Sequence, residues 1–221
     1  MQLNAYKYKG GVMKILIIGA TSETGQLIVE KCIESSIDVK ALIRNPKRLG
    51  DFPKIEVLEG NVLDYEQVTL ALNGCDAVIC VLGASQGEKI GNTRSKGTEN
   101  LINAMKSTNV SRMITVSTIG IGDSVNNMSL FSKIIYPLII GKARLLEAQK
   151  QENLIINSGL QWTIVRPPRL INNTKQQEVR VGEELATNFS DALSRVNLAK
   201  FLVELLEQNS FVQKTITVVD K

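Results

Sequence analysis

The feature that most restricts the fold is a short apolar run that ends on a glycine turn and leads into an amphipathic stretch. Lys14-Ile15-Leu16-Ile17-Ile18 is β-branched and does not alternate, the pattern of a strand covered on both faces. It stops at Gly19, and from Glu23 to Ser35 the apolar Leu27, Ile28, Cys32 and Ile33 recur at helical spacing. Val39 to Ile43 supplies a second apolar strand, which completes a βαβ unit of about 30 residues. The alternation continues with strand Ile55 to Leu58, helix Tyr65 to Leu72, strand Ala77 to Leu82, helix Thr93 to Ser107 and strand Arg112 to Val116. A helix from Ala143 to Asn157 is halted at Ser158-Gly159, and the strand Trp162 to Val165 runs into Pro167-Pro168. Helix Arg195 to Gln208 and strand Thr215 to Val219 close the chain. Repeated strand-then-helix order with wholly apolar strands predicts an α/β fold with a doubly wound parallel sheet. Gly120 to Gly141 and Leu170 to Asn188 are expected to be irregular insertions.

Length and composition narrow the function classes. At 221 residues the chain fits one domain, taken as 13–221, preceded by an N-terminal extension over 1–12. The formal charge of +4 is spread along the chain, so nucleic acid is not an expected partner. There is no histidine, which excludes a His-based nucleophilic triad, an HExxH metal site and a histidine proton relay. Cys32, Cys75 and Cys80 are odd in number and lack metal-ligand spacing, so neither disulfides nor zinc are expected and a reducing cytosol is the simplest compartment. Met1 to Gly11 has no apolar core of a secretory signal. Leu130 to Ile140 is interrupted by Ser132, Lys133 and Pro137 and falls short of the roughly 20 residues that span a bilayer, so no membrane segment is expected.

The turn Gly19-Ala20-Thr21-Ser22-Glu23-Thr24-Gly25 carries the first chemical signal. Between a strand and a helix, its first glycine permits a tight bend, backbone amides at the positive helix end suit a pyrophosphate, and its last glycine allows close packing. A dinucleotide is the expected ligand. The end of the second strand selects among dinucleotides, because a carboxylate there binds a ribose 2′-hydroxyl and an arginine accommodates a 2′-phosphate. Here the chain reads Ile43-Arg44-Asn45-Pro46-Lys47-Arg48, with no acid among them, so Arg44 and Arg48 favour NADP(H) over NAD(H). The plainer alternative is a solvated basic loop.

This turn, together with Ala41-Leu42-Ile43-Arg44, Gly60-Asn61-Val62-Leu63-Asp64, Ala77-Val78-Ile79-Cys80-Val81-Leu82-Gly83, Ser158 to Pro167 and Ser194 to Ala199, resembles the atypical short-chain dehydrogenase/reductases. The branch it is most similar to is the NAD(P)H-binding group that includes NmrA-like proteins and the flavin reductase also called biliverdin IXβ reductase. The similarity extends from Met13 to Val219. It implies a Rossmann-like single domain in which Gly19, Thr21, Ser22, Glu23, Thr24 and Gly25 hold the pyrophosphate and Arg44 and Arg48 the 2′-phosphate. It further implies Asn61 and Val62 beside the adenine, Leu82, Gly83 and Ala84 along the ribose and nicotinamide, and Ser117 and Thr118 facing the nicotinamide. Pro167 bounds the same face. Two residues depart from the family pattern: Ser22 stands for the usual middle glycine and Asn61 for the usual aspartate.

Alcohol-oxidising members of that superfamily use a Tyr-x-x-x-Lys pair, in which the cation lowers the phenol pKa. Of the four tyrosines only Tyr136 lies in the relevant interval, and the residue four further on is Ile140, so Tyr136 is expected to be a core or lid aromatic. Hydride transfer to a flavin or quinone ring needs no such pair. Ser117 and Thr118 are then the candidate catalytic residues, orienting the carboxamide or donating to the acceptor, with strand-end capping as their other role. Arg166 and Arg169 follow the next strand, where ligands collect in parallel sheets. Met128 to Ile140 could serve as a flap, a helix packed on the sheet or a dimer surface, with packing preferred.

The resulting expectation is a cytoplasmic monomer or homodimer that binds NADPH and reduces a small aromatic acceptor, a flavin or quinone, with no metal. The alternatives are an NmrA-like redox sensor without turnover and, less favoured for want of the Tyr-Lys pair, an enzyme acting on nucleotide sugars or isoprenoids.

Overall fold

A parallel sheet buried on both faces organises the protein, in a computed structural model that describes residues 12–83, 91–173 and 177–221. The strands are β1 (Lys14–Ile18), β2 (Asp38–Ile43), β3 (Ile55–Glu59), β4 (Ala77–Cys80), β5 (Arg112–Val116), β6 (Gln161–Arg166), β7 (Arg169–Ile171), β8 (Val179–Gly182), β9 (Ala192–Ser194) and β10 (Lys214–Asp220). The helices are α1 (Glu23–Glu34), α2 (Tyr65–Leu72), α3 (Thr93–Ser107), α4 (Leu130–Ile140), α5 (Lys142–Ile156) and α6 (Arg195–Gln208). The main sheet runs β3-β2-β1-β4-β5-β6-β10-β8, parallel except for β8, and β7 pairs with β9 in a small second sheet. The order reverses between β1 and β4, and in such sheets ligands bind outside the carboxyl ends at that switch point.

Side-chain alternation divides the core in two. Ile15, Ile17, Val39, Ala41 and Ile79 pack against Ile28, Val29 and Cys32 of α1 and Leu198, Leu202 and Leu206 of α6. Leu16, Ile18, Val78, Cys80 and Ile164 face the other way, against Val68 and Leu72 of α2, Leu101 and Met105 of α3 and Ile155 of α5. The non-alternating strands of the sequence are those that must satisfy both layers at once.

Four expectations need correction. Gly120 to Gly141 is not irregular: a 3-10 turn spans Gly122–Asn127 and α4 follows, capped where the Ser129 side chain accepts from the Ser132 amide at 3.3 Å. Pro137 lies within α4, which runs on to Gly141 at φ +90°. Nor does α4 pack on the sheet. It lies beside α5, burying Ser132 and Tyr136 while Leu130, Ile134 and Leu138 stay exposed, at 80%, 68% and 72%. Leu170 to Asn188 likewise holds part of β7 and all of β8, an edge strand whose Val179 and Val181 pack on the core while Arg180 is exposed. Strand β4 ends at Cys80, two residues before its expected end, although the Val81 amide still donates to the Ile18 carbonyl at 2.9 Å.

Cys32, Cys75 and Cys80 are free and buried. Burial pushes their thiols up from 9.0, to about 12 for Cys32 and about 11 for Cys75 and Cys80. A group that holds its proton more tightly when folded stabilises the fold fully below its unfolded pKa and loses that contribution as pH rises through the folded value. Unfolding free energy is therefore expected to decline as pH is raised from 9.0 towards 12, and native thiols should resist labelling at neutral pH. Urea titrations at stepped pH, with thiol labelling alongside, check this; flat stability across the window or rapid native labelling would contradict it.

Candidate functional site

The turn after β1 is built by contact between backbones. Gly19 has φ +92°, and a Cβ there would lie 2.8 Å from the Val81 carbonyl oxygen. At Gly25 a Cβ would lie 2.2 Å from the Gly19 carbonyl oxygen, so the first turn of α1 rests directly on the chain leaving β1. Only hydrogen fits there. Ser22, by contrast, has φ −75° and ψ 158°, a conformation open to any residue, which accounts for the missing middle glycine. Its Oγ accepts from the Gly25 amide at 3.0 Å and donates to the Gly19 carbonyl at 2.8 Å, capping α1. The Glu23 and Thr24 amides, first in the helix, have no carbonyl of their own helix to bond and remain donors at its positive end. Thr24 is buried, and the Thr21 carbonyl accepts from the Gln26 side chain at 3.3 Å. The Glu23 carboxylate, which would repel a phosphate, pairs with Arg195 of α6 at 3.1 Å.

At the end of β2, Arg44 and Arg48 are both exposed, Arg48 closing a 3-10 turn over Pro46–Arg48 that the Asn45 side chain caps by accepting from the Lys47 amide at 3.1 Å. After β3, the Asn61 amide donates to Gln67 Oε1 at 2.7 Å and Asn61 Oδ1 accepts from the Leu63 amide at 3.1 Å. The Val62 side chain is buried, and its carbonyl accepts from Asn100 Nδ2 at 3.1 Å. A Cβ on Gly97 would lie 2.7 Å from Val62 Cγ1 and 3.3 Å from Leu82 Cδ1, so Val62 and Leu82 seat the N-terminal part of α3. Gly83 is exposed, with open space where its Cβ would be. Ala84 lies outside the described residues.

Beyond the strand ends opens a cavity of about 680 Å³, bounded by Gly83, Ser117, Thr118, Tyr136, Pro167 and Pro168 and lined also by Ile139 and Ile140 of α4. Ser117 is buried and its Oγ has no hydrogen-bond partner among the described residues, while its amide donates to the Val165 carbonyl at 2.7 Å. A buried hydroxyl without a partner costs free energy unless a ligand completes it. Thr118 is already engaged, its Oγ1 sharing a 2.9 Å hydrogen bond with the Tyr136 hydroxyl. Burial raises the Tyr136 pKa against the opposing effect of that bond, so the phenol stays protonated. Gly120, at φ +86°, makes room for the tyrosine ring, which a Cβ would approach to 2.8 Å. Pro167 forms part of the wall, and its carbonyl accepts from the Ile119 amide at 3.3 Å.

Sequence reasoning missed the polar network beneath this cavity, because its members are far apart in the chain. Arg94 of α3 donates to Gln151 Oε1 at 2.6 Å and to the Val116 carbonyl at 3.2 Å, tying α3 to α5 and to the end of β5. Burial lowers the Arg94 pKa, opposed in part by the charges of Glu152 and Glu147. Burial also works against ionisation of Glu147, but hydrogen bonds from Lys150 and Ser95 outweigh it and hold its pKa below the ordinary value. Arg166 is not a ligand-facing arginine. It is buried, meeting Glu152 through two bonds of 3.0 and 2.6 Å and Asp123 at 2.7 Å. Burial alone would lower its pKa; Glu152 and Asp123 reverse that and hold it charged. This fork pins the loop after β5 onto α5. Among the described residues no group of acids and cysteines could hold a metal ion, and no helix is long and apolar enough to cross a membrane.

The model of a family described as NAD(P)H-binding matches residues 19–209, from the glycine turn to the end of α6. The chain belongs to the NAD(P)H-binding family. It is 30% identical to an uncharacterised chloroplast protein of Arabidopsis thaliana, over 98% of this chain and 78% of that protein. Among solved structures, a short-chain dehydrogenase/reductase of Veillonella parvula in complex with NADP superposes with a TM-score of 0.80 at 18% identity, covering 94% of each chain. The anaerobilin reductase ChuY of Escherichia coli O157:H7 superposes with a TM-score of 0.78 at 20% identity, over 94% of this chain and 97% of that one. At such identities these two establish the Rossmann-like single-domain fold.

Proposed function

We propose that the protein is an NADPH-dependent reductase that passes hydride to a small aromatic acceptor, a flavin or a quinone. The observation that carries this reading is the cavity at the strand ends, bounded by Gly83, Ser117 and Thr118, with the buried Ser117 Oγ unpartnered among the described residues and a tyrosine already bonded to Thr118. When bound, the nicotinamide cofactor supplies the hydride. The α1 N-terminus, with the Glu23 and Thr24 amides, holds its pyrophosphate, and Arg44 and Arg48 its 2′-phosphate. Asn61 and Val62 shape the adenine end. Leu82, Gly83 and Pro167 bound the ribose and nicotinamide end, where Ser117 Oγ donates to the carboxamide. Thr118 acts by fixing Tyr136. With its pKa raised and no lysine at the family spacing, Tyr136 is a wall of the cavity, and a ring acceptor takes its proton from water. The buried thiols fit a reducing compartment, the cytosol being the simplest.

A second reading, an NmrA-like sensor that binds NADP(H) without turnover, draws on the exposed apolar face of α4 next to the cavity, which offers a surface for reporting cofactor state.

Cofactor choice gives one test. A hydrogen bond between charged groups contributes about 1.5–3 kcal/mol, or about ten- to a hundred-fold in affinity, so NADP+ should bind that much more tightly than NAD+. Calorimetric titration of wild type and Arg44→Ala measures it; equal affinities in wild type, or undiminished selectivity in the variant, would refute the assignment.

Turnover gives the other. Steady-state NADPH oxidation with a panel of flavins and quinones is expected to exceed the protein-free rate. Gly83→Trp, which places a ring at the cavity mouth where a Cβ meets open space, should abolish it. Wild-type rates no faster than the protein-free control across the panel would leave the sensor as the better account.

A further inference from the structure

We propose that the acceptor carries an anionic group, a carboxylate or a phosphate, which Arg144 binds, with Arg169 a second cation lining the same cavity. The inference deepens the reading of this cavity as the acceptor's and names its substrate class. It begins from charge. Four arginines line the cavity, Arg94, Arg144, Arg169 and Arg195, against two acids, Glu147 and Asp191. Both acids are occupied: Glu147 by Ser95 at 2.7 Å and Lys150 at 2.9 Å, Asp191 by the Asn188 amide at 2.7 Å and Arg180 at 3.4 Å. Two of the arginines are occupied as well, Arg94 by Gln151 and the Val116 carbonyl, Arg195 by Glu23 at 3.1 Å and Asn172 at 2.8 Å.

That leaves Arg144 and Arg169, whose side chains meet no acceptor among the described residues. The Arg144 case is the stronger, because its Nε is fully buried and unsatisfied. A guanidinium donor withdrawn from water without a partner is strongly unfavourable, and folds keep such groups where something outside the chain completes them. Arg144 also stands in the first turn of α5, whose N-cap, Gly141, has no side chain to satisfy the helix end, so the positive end of the helix adds to its charge. The planar fork matches the two oxygens of a carboxylate or phosphate.

The cofactor's own phosphates are not the better occupant. Their place is at the N-terminus of α1, on one face of the sheet, whereas α5 packs on the other face. Much of the rest of the lining is apolar, with Ile139, Pro168, Leu170 and Phe189 among the walls. Phe189 is held edge-on to Phe131 of α4, with ring centroids 5.5 Å apart. A flat ring between these walls with an anionic tail towards Arg144 pairs the cavity's unmatched arginines, while Ser117 Oγ serves the nicotinamide carboxamide.

The test reads binding rather than turnover. Calorimetry on the NADP+-saturated protein compares FMN with riboflavin, and 2-naphthoate with 2-naphthamide, in wild type, R144Q and R169Q, with circular dichroism to verify folding. In wild type at least one anion is expected to bind about ten-fold or more tightly than its neutral partner, and R144Q should bring the pair to near parity, with a smaller loss in R169Q. That pattern stands even if no acceptor is reduced, in which case the anion site holds and the reductase reading fails. Equal binding of the paired compounds, no measurable binding of either anion, or a preference unchanged in R144Q overturns the proposal. So does a loss of NADP+ affinity in R144Q, which would assign Arg144 to the cofactor.

Discussion

Helix α1 can occupy its place only because Gly25 brings no side chain to the carbonyl of Gly19, and most of the site follows from that contact. A Cβ at 2.2 Å from a carbonyl oxygen has no room to relax, since the obstacle is backbone and not the tip of a side chain. The close approach sets the helix axis over the end of β1 and brings the first-turn amides to the switch point between β1 and β4. Ser22 completes the geometry from within, its hydroxyl capping α1 and bonding back to Gly19. A middle glycine is unnecessary when the residue there is extended and points a small polar group at the turn.

The other half of the site is fixed by polar contacts between distant segments. Arg94, Gln151 and Thr98 link α3 to α5, while Arg166, Glu152 and Asp123 hold the loop that follows Ser117 and Thr118. Removing one partner of a buried pair such as Arg166 with Glu152 typically costs about 3–5 kcal/mol, because a charge is stranded in the interior. That is why these residues define the cavity without entering its chemistry. The groups left over, Ser117 Oγ and the Arg144 and Arg169 guanidiniums, stand out because the other charges lining the cavity are paired within the chain.

Much of this was legible in the sequence, for identifiable reasons. Strands buried on both faces and helices with one apolar stripe write their periods directly into the chain, so α2, α3, α6 and β5 have the limits that periodicity predicts. The glycine turn was legible because its constraint is local. Helix α4 was not, since it buries the polar Ser132 and Tyr136 and turns Leu130, Ile134 and Leu138 outwards, the reverse of the usual stripe, and Pro137 interrupts it. Edge strand β8 was hidden for the opposite reason, a short alternating segment with a polar face. Arg166 looked like a ligand group because it ends a strand at the right edge of the sheet. Its partners Glu152 and Asp123 lie 14 and 43 residues away, and no local pattern records such a meeting. The pairing of Thr118 with Tyr136, and the isolation of Arg144, are likewise tertiary facts.

The central claim is that the backbone contact between Gly25 and Gly19 positions α1 to receive the cofactor. It is tested most directly by NADP+ titration of Gly25→Ala, with urea unfolding of the same variant. The added methyl must displace α1, so NADP+ affinity should fall about ten-fold or more and stability by about 1–3 kcal/mol, the usual cost of overpacking. A variant that binds NADP+ and resists urea as the wild type does would contradict the account.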